Sequence, residues 1–329
     1  MKALVTGATG FVGAAVARAL LAQDVELRLL TRAQSDRANI DDLPVETVIG
    51  DLRDEASLRK AVAGCDAVFH VAADYRLWTP KPQEMYDANV DGSRNLVRAA
   101  ADAGVERIIY TSSVAALGVP KDGGLGDEDT PVTLDDMIGH YKRSKFLAEA
   151  AVMELADEGA PVIVVNPSAP VGPRDIKPTP TGRMVIEAAT GRIPAYLDTG
   201  LNVVHVEDVA VGHLLAHRVG KFGERYILGG RNMTLAEILT EIAALAGRKA
   251  PTIKLPHGLV LPVAMVVEGW ARLIGGGEPF VTIDAVRMAK KRMFYSTVKA
   301  ERELGYAPRP PEEGLRDALE WFRARGMLT

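Results

Sequence analysis

Over the first 170 residues, short apolar runs rich in β-branched side chains alternate with longer stretches of helical periodicity, an order that few architectures accept. The runs are Ala3–Thr6, Glu26–Thr31, Val45–Ile49, Ala67–Val71, Arg107–Thr111 and Val162–Asn166. Helical patterns occupy Val12–Ala22, Glu55–Ala63, Gln83–Ala103 and Met137–Asp157. Several runs are apolar at successive rather than alternate positions, as strands are when helices cover both faces of a parallel sheet. This predicts an α/β chain with a doubly wound parallel sheet of Rossmann type and right-handed crossovers. From Pro167 to Leu201 prolines and glycines break the periodicity, which reads as long loops. Val203–Val206 and Arg225–Leu228 read as further strands with a helix, Val209–Val219, between them. Residues 1–170 plus about 201–228 are expected to form a dinucleotide-binding domain. About 171–200 with 229–329 are expected to form a smaller, mainly helical substrate-binding domain.

The first run passes straight into Gly7-Ala8-Thr9-Gly10-Phe11-Val12-Gly13 and then an alanine-rich helix. Glycines at this spacing permit a tight turn, close approach of backbone to a pyrophosphate, and packing of helix on strand without an intervening Cβ. The helix start then offers free N–H groups and a partial positive charge to the phosphates. About 20 positions on, where a carboxylate would bind the ribose 2′-OH of NAD, stands Thr31-Arg32, with Arg37 close behind. A neutral residue followed by a guanidinium favours NADP(H), with NAD(H) the alternative. Asp51-Leu52 would place a carboxylate on the adenine amino group or cap the next helix.

Tyr141 and Lys145 stand at i and i+4, on one helix face. A neighbouring ammonium, helped by a nicotinamide cation, favours the phenolate and makes tyrosine a usable acid/base. Thr111-Ser112-Ser113 ends the fifth strand, where ligands of such sheets bind, and Ser113 is placed to orient a substrate carbonyl beside Tyr141.

The remaining features exclude more than they assign. The 329 residues carry a net charge of −4 with no basic stripe, so nucleic acid is not expected as a partner. A lone Cys65 fits a reducing compartment, and glycines interrupt the N-terminal apolar run too early for a signal peptide; a cytoplasmic location is expected. Leu259–Val267, nine residues including Pro262, is about half of the ~20 needed to span a bilayer. To lie on a membrane surface it would need Glu268 and Arg272 on a polar outer face, and peripheral contact is not expected. His213 and His217 have a zinc-compatible spacing but lack a third ligand, so they read as a partly exposed helix face and no metal is expected. Asp127-Glu128-Asp129 suits a solvated loop, Asp135-Asp136 a helix start. There is no Gly-x-Ser-x-Gly elbow for a serine hydrolase.

Taken in order, Gly7-x-x-Gly10-x-x-Gly13, Asp51-Leu52, His70-Val71-Ala72-Ala73, Asn89-Val90, the Ser113–Tyr141–Lys145 set, Asn166-Pro167, His205-Val206-Glu207-Asp208-Val209-Ala210 and the stretch from Leu304-Gly305-Tyr306 to Trp321-Phe322 resemble the extended short-chain dehydrogenase/reductase (NAD-dependent epimerase/dehydratase) superfamily. Ala72-Ala73-Asp74-Tyr75-Arg76-Leu77-Trp78 and Asn166 to Asp175 most resemble its hopanoid-associated sugar epimerase group, itself similar to dihydroflavonol 4-reductases. The resemblance implies that Ser113, Tyr141 and Lys145 are catalytic. It implies that Gly7, Thr9, Gly10, Phe11, Val12, Gly13, Asp51, Leu52, Ala72, Ala73, Asn89, Thr111, Tyr141, Lys145, Pro167 and Ser168 hold the dinucleotide, with Arg32 and Arg37 beside it. It also implies a homodimer through two helices per subunit.

Dehydratases of this layout carry an Asp-Glu pair after the strand-five hydroxyl residue; here Ser113 is followed by Val114-Ala115, which disfavours elimination of water. An epimerase returns its hydride to the same substrate and suits bound NAD. A reductase exchanges its cofactor, so Thr31-Arg32 tilts the expectation to an NADPH-dependent carbonyl reductase, with a sugar epimerase as the alternative. A dinucleotide-sensing binding protein would be expected to have lost Tyr141 or Lys145. Asp74, Tyr75, Trp78, Ser113 and Arg174 are candidate substrate residues for a small carbonyl, alcohol or sugar-like molecule. Loops 74–86, 117–130, 168–200 and 256–280 are expected to shape the pocket.

Overall fold

The computed structural model describes residues 1–273 and 282–328, without the side chains of 271–273. The Arg272 side chain and the 274–280 part of the expected pocket loop therefore lie outside what the structure describes. The chain runs β1 (Lys2–Thr6), α1 (Phe11–Leu21), β2 (Glu26–Thr31), β3 (Glu46–Ile49), α2 (Glu55–Val62), β4 (Ala67–His70), α3 (Pro82–Tyr86), a π-helical turn (Asp87–Asp91), α4 (Gly92–Asp102), β5 (Arg107–Thr111), α5 (Gly139–Asp157) and β6 (Val162–Pro167). It continues through β7 (Ala169–Val171), α6 (Pro180–Thr190), β8 (Ala195–Leu197), β9 (Gly200–His205), α7 (Val206–Val219) and β10 (Arg225–Leu228). Last come β11 (Arg231–Thr234), α8 (Leu235–Leu245), β12 (Ile253–Leu255), α9 (His257–Leu273), α10 (Ile283–Met288), β13 (Arg292–Met293), α11 (Val298–Leu304) and α12 (Pro311–Ala324).

Seven strands form one parallel sheet in the order β10-β6-β5-β4-β1-β2-β3. Successive residues of β1 serve opposite faces. Ala3 and Val5 pack with Val16, Leu20 and Val209, so α1 and α7 cover one side. Leu4 packs with Leu58, Leu96 and Val152, so α2, α4 and α5 cover the other. At the centre of the sheet both faces are dry, which is why its central strands read as unbroken apolar runs. The strand order reverses between β1 and β4, and a ligand crevice belongs above the carboxyl ends of strands at such a point.

Three local differences from the sequence reading have clear causes. The expected helix Gln83–Ala103 is interrupted by the π-turn, which inserts a residue where Asn89 turns inward. The stretch expected as long loops contains α6, because Thr179 caps its start (Oγ1 to Gly182 N, 3.2 Å), Pro180 fits the first turn, and Gly191 takes the left-handed closing position (φ 75°). Finally, β9 leaves the main sheet. It pairs with β7 and β13 in parallel and with β11 antiparallel, in a second small sheet.

Candidate active site

The glycine turn is shaped by contacts that no side chain would allow. Gly7 has φ +74°, and a Cβ there would stand 2.6 Å from the backbone nitrogen of Ala72. A Cβ on Gly13 would stand 2.1 Å from the carbonyl oxygen of Gly7. Gly10 starts α1 with no side-chain cap, so the first-turn N–H groups face the crevice. Beneath the turn, the Thr6 hydroxyl accepts from the N–H groups of Val71 (3.2 Å) and Ala72 (3.1 Å) and donates to Nδ1 of His70 (2.9 Å). His70 Nε2 then donates to Ser93 Oγ (3.0 Å). Burial pushes His70 down to about 3, with the Lys145 charge adding to the effect, so this ring is neutral. Sequence reasoning missed Asn39, whose buried amide donates to the carbonyls of Thr9 (3.3 Å), Gly10 (3.4 Å) and Arg174 (3.1 Å).

At the end of β2, Arg32 is exposed and its side chain makes no hydrogen bond or ion pair among the described residues. Thr31 Oγ1 is buried with no partner among the described residues. Arg37, by contrast, is engaged by Asp41 (3.3 Å) and Thr47 (3.2 Å). Asp51 does not cap α2; Asp54 does, through Ala56 N and Ser57 N. The Asp51 carboxylate is forked by Arg53 (2.9 Å at each oxygen), which holds it down to about 2. Leu52 packs so closely on the start of α4 that a Cβ on Gly92 would meet its own Cβ at 2.7 Å.

The acid/base group is set by α5, which begins at Gly139 (φ +79°) two residues before Tyr141. Burial raises the Tyr141 phenol, and a hydrogen bond with Ser113 pulls it partly back. Lys145, one turn on, is buried and donates to the Thr111 carbonyl (2.9 Å) and the Tyr110 hydroxyl (3.4 Å). Burial lowers it to about 8, and the Glu149 carboxylate opposes that. Two further turns of support are visible. Asn89 accepts from Asp74 N (2.7 Å) and donates to Asp74 O (2.9 Å) and to Ser144 Oγ (3.0 Å), while Ser144 donates to the Tyr141 carbonyl (2.8 Å). Glu149 pairs with Arg225 (3.2 Å) and accepts from Asn166 Nδ2 (2.7 Å), which also donates to the Ser113 carbonyl (3.1 Å). Tyr141, Lys145 and Glu149 recur every four residues; that period was the signal for Glu149.

Other candidates are placed less centrally. The Thr111 side chain points to α7, donating to His213 Nε2 (2.8 Å), so only its carbonyl serves Lys145. His213 is consequently buried, not part of an exposed face, and burial pushes it down to about 4. Glu128, expected in a solvated loop, is buried against the free edge of β10, where it accepts from Ile227 N (2.8 Å). Asp74 is forked by Arg76. Tyr75 is exposed, near Asp175 and Arg183, and Trp78 is half-buried. Arg174 has φ +75°, and the charges around its guanidinium are Arg18, Asp42, Glu207 and Arg325, on the α1 side of the turn.

The glycine cradle that a Cβ would fill, the uncapped start of α1 and the buried hydroxyls of Thr31, Ser112 and Ser168, which have no partner among the described residues, fit a dinucleotide. Fold and site together define an NAD(P)-dependent short-chain dehydrogenase/reductase of the extended kind. Residues 3–229 match the family described as NAD dependent epimerase/dehydratase, and the chain belongs to it. The chain is 44% identical to a "Putative dihydroflavonol 4-reductase" of Synechocystis sp. over 98% of its own length and 95% of the relative's. It is 36% identical to "Sterol demethylase protein B" of Methylococcus capsulatus over the full length of both. A solved structure titled "Crystal structure of gox2253" is 54% identical, with a TM-score of 0.90 over 99% of each chain.

Proposed function

We propose that the protein is an NADP(H)-linked reductase of a ketone or aldehyde, acting through Ser113, Tyr141 and Lys145. The observation that carries this choice is Arg32, an exposed guanidinium in no ion pair among the described residues, beside the neutral Thr31 where an NAD-selective site would place an acid. A guanidinium there suits a 2′-phosphate, and a phosphorylated cofactor suits an enzyme that consumes it each turnover. The relative named as a dihydroflavonol 4-reductase points the same way.

Bound over this crevice, a dihydronicotinamide supplies the hydride. Ser113 donates a hydrogen bond to the substrate oxygen and fixes its distance from the phenol. Tyr141 gives its proton to that oxygen as the carbonyl carbon is reduced, producing a secondary or primary alcohol and a phenolate that solvent reprotonates. Lys145, protonated below about pH 8, lies one helical turn away and stabilises the phenolate. Asn89 and Ser144 hold the turn that carries Tyr141; Asn166 holds the backbone of Ser113.

The test is a binding titration with NADPH and NADH, followed by a carbonyl panel scored for net NADPH consumption. The expected result is tighter NADPH binding, lost selectively in Arg32→Ala, and turnover nearly abolished in Tyr141→Phe with cofactor binding intact. Redox-neutral conversion of a sugar nucleotide without net consumption would replace the reductase by an epimerase, and undiminished turnover in Tyr141→Phe would remove the assignment.

A further inference from the structure

Helix α9 is built inside out. Its charged residue among the described side chains, Glu268, is 5% exposed and accepts the N–H of Ile283 at the start of α10 (2.8 Å). Its exposed residues are all apolar or glycine: Leu259 (68% exposed), Val263 (55%), Val266 (73%) and Trp270 (65%) recur at helical spacing along one outward face, with Met265 beside them. A surface helix of a soluble domain normally shows the opposite pattern, and a contiguous apolar face of this kind marks a surface that meets something.

The surroundings of that face select what it meets. Residues 248–292 carry eight Lys or Arg against three Asp or Glu, a net of +5 in a chain whose total is −4. Lys254, Arg287, Lys290 and Lys291 are exposed near the root of the helix, and His257 anchors it there through the Ala289 carbonyl (3.0 Å). Lys290 and Lys291 make no ion pair among the described residues, whereas Lys254 is paired with Asp198 (2.7 Å). A two-fold dimer through this face would set one basic rim against its own copy. An anionic surface meets no such repulsion. Helix α10, on which α9 is seated, also adjoins the proposed site. A Cβ on Gly139, two residues before Tyr141, would approach the Asp284 carboxylate of α10 at 3.2 Å, and Lys142 donates to Met293 Sδ (3.6 Å) beyond it.

We propose that α9 is an interfacial membrane helix that beds its Leu259–Val263–Val266–Trp270 face into the surface of an anionic lipid bilayer while the basic rim engages the headgroups. The sequence reading made a membrane-surface position conditional on Glu268 lying on a polar face away from the lipid; the fold instead turns that carboxylate inward and leaves the outward face apolar. The proposal concerns where the protein sits and does not depend on the choice between reductase and epimerase.

The test is co-sedimentation of the full chain with vesicles of phosphatidylcholine alone and of phosphatidylcholine with one-third phosphatidylserine. Expected is binding to the anionic vesicles, weakened at least about tenfold at 0.5 M salt, in the double variant Val266→Asp/Trp270→Ser, and in Lys290→Glu/Lys291→Glu. These positions are exposed, so dinucleotide binding and melting temperature should stay unchanged and serve as the folding control. If the apolar variant fails that control, the charge-reversal variant still decides. Absence of binding, equal binding to both vesicle types, binding unaffected by the variants, or a dimer dissociated by Val266→Asp/Trp270→Ser would each overturn the proposal.

Discussion

His70 ties the stability of the nucleotide cradle to pH. In the fold its ring is neutral, accepts the Thr6 hydroxyl and is held down to about 3; in the unfolded chain it titrates near its ordinary 6.5. Between those values the unfolded state binds a proton that the native state refuses, so stability falls as pH falls. Each pH unit well inside that window costs about 1.4 kcal/mol, and the change from pH 7 to pH 5 costs about 2 kcal/mol from this residue alone. The perturbation that isolates it is His70→Asn, which keeps an acceptor near the Nδ1 position for Thr6 and cannot titrate. Urea unfolding of both proteins at pH 7 and pH 5 gives the comparison, because His213 and the carboxylates contribute equally to each. Wild type should lose about 2 kcal/mol more than the variant over this range, near 0.7 M in midpoint at an m-value of about 3 kcal/mol/M. Parallel pH dependence in the two proteins would refute a neutral buried His70, and with it the hydrogen-bond direction assigned to Thr6.

Two further outcomes follow from the same geometry. Gly13→Ala would press a methyl group onto the Gly7 carbonyl and should cost about 1–3 kcal/mol of stability, as overpacking does, with a larger loss of dinucleotide affinity, read by thermal melting with and without NADPH. Glu149→Gln removes the charge that supports the Lys145 ammonium while keeping an acceptor for Asn166; the alkaline limb of the kcat/KM profile should move to lower pH by about one unit, and an unmoved limb would show that Glu149 does not tune Lys145.

The parallel sheet was legible because burial on both faces leaves an unmistakable mark on its central strands β1, β4, β5 and β6. The Tyr141–Lys145 pair and the glycine turn were legible because their function is local in sequence. What sequence could not show depends on contacts across large separations. Asn39 meets Arg174 across 135 residues, and Asn166 reaches Ser113 across 53. Helical periodicity identified the α9 region as apolar but could not say which face the core would take, since that is decided by α10. The π-turn was invisible for a related reason: its inserted residue answers to Asp74 and Ser144, not to its neighbours in the chain.

That inserted residue gears two jobs together. A regular helix advances about 100° per residue. Deleting one position between Asp87 and Asp91 would swing everything before it by that angle, carrying Met85 away from the interior or else dragging Leu96 and Val97 off the sheet. Single-residue changes in chain length here cannot be compensated by exchanging a side chain, because site and core are in phase only with the extra residue present. A substitution along this helix leaves that phase intact; a change in its residue count does not.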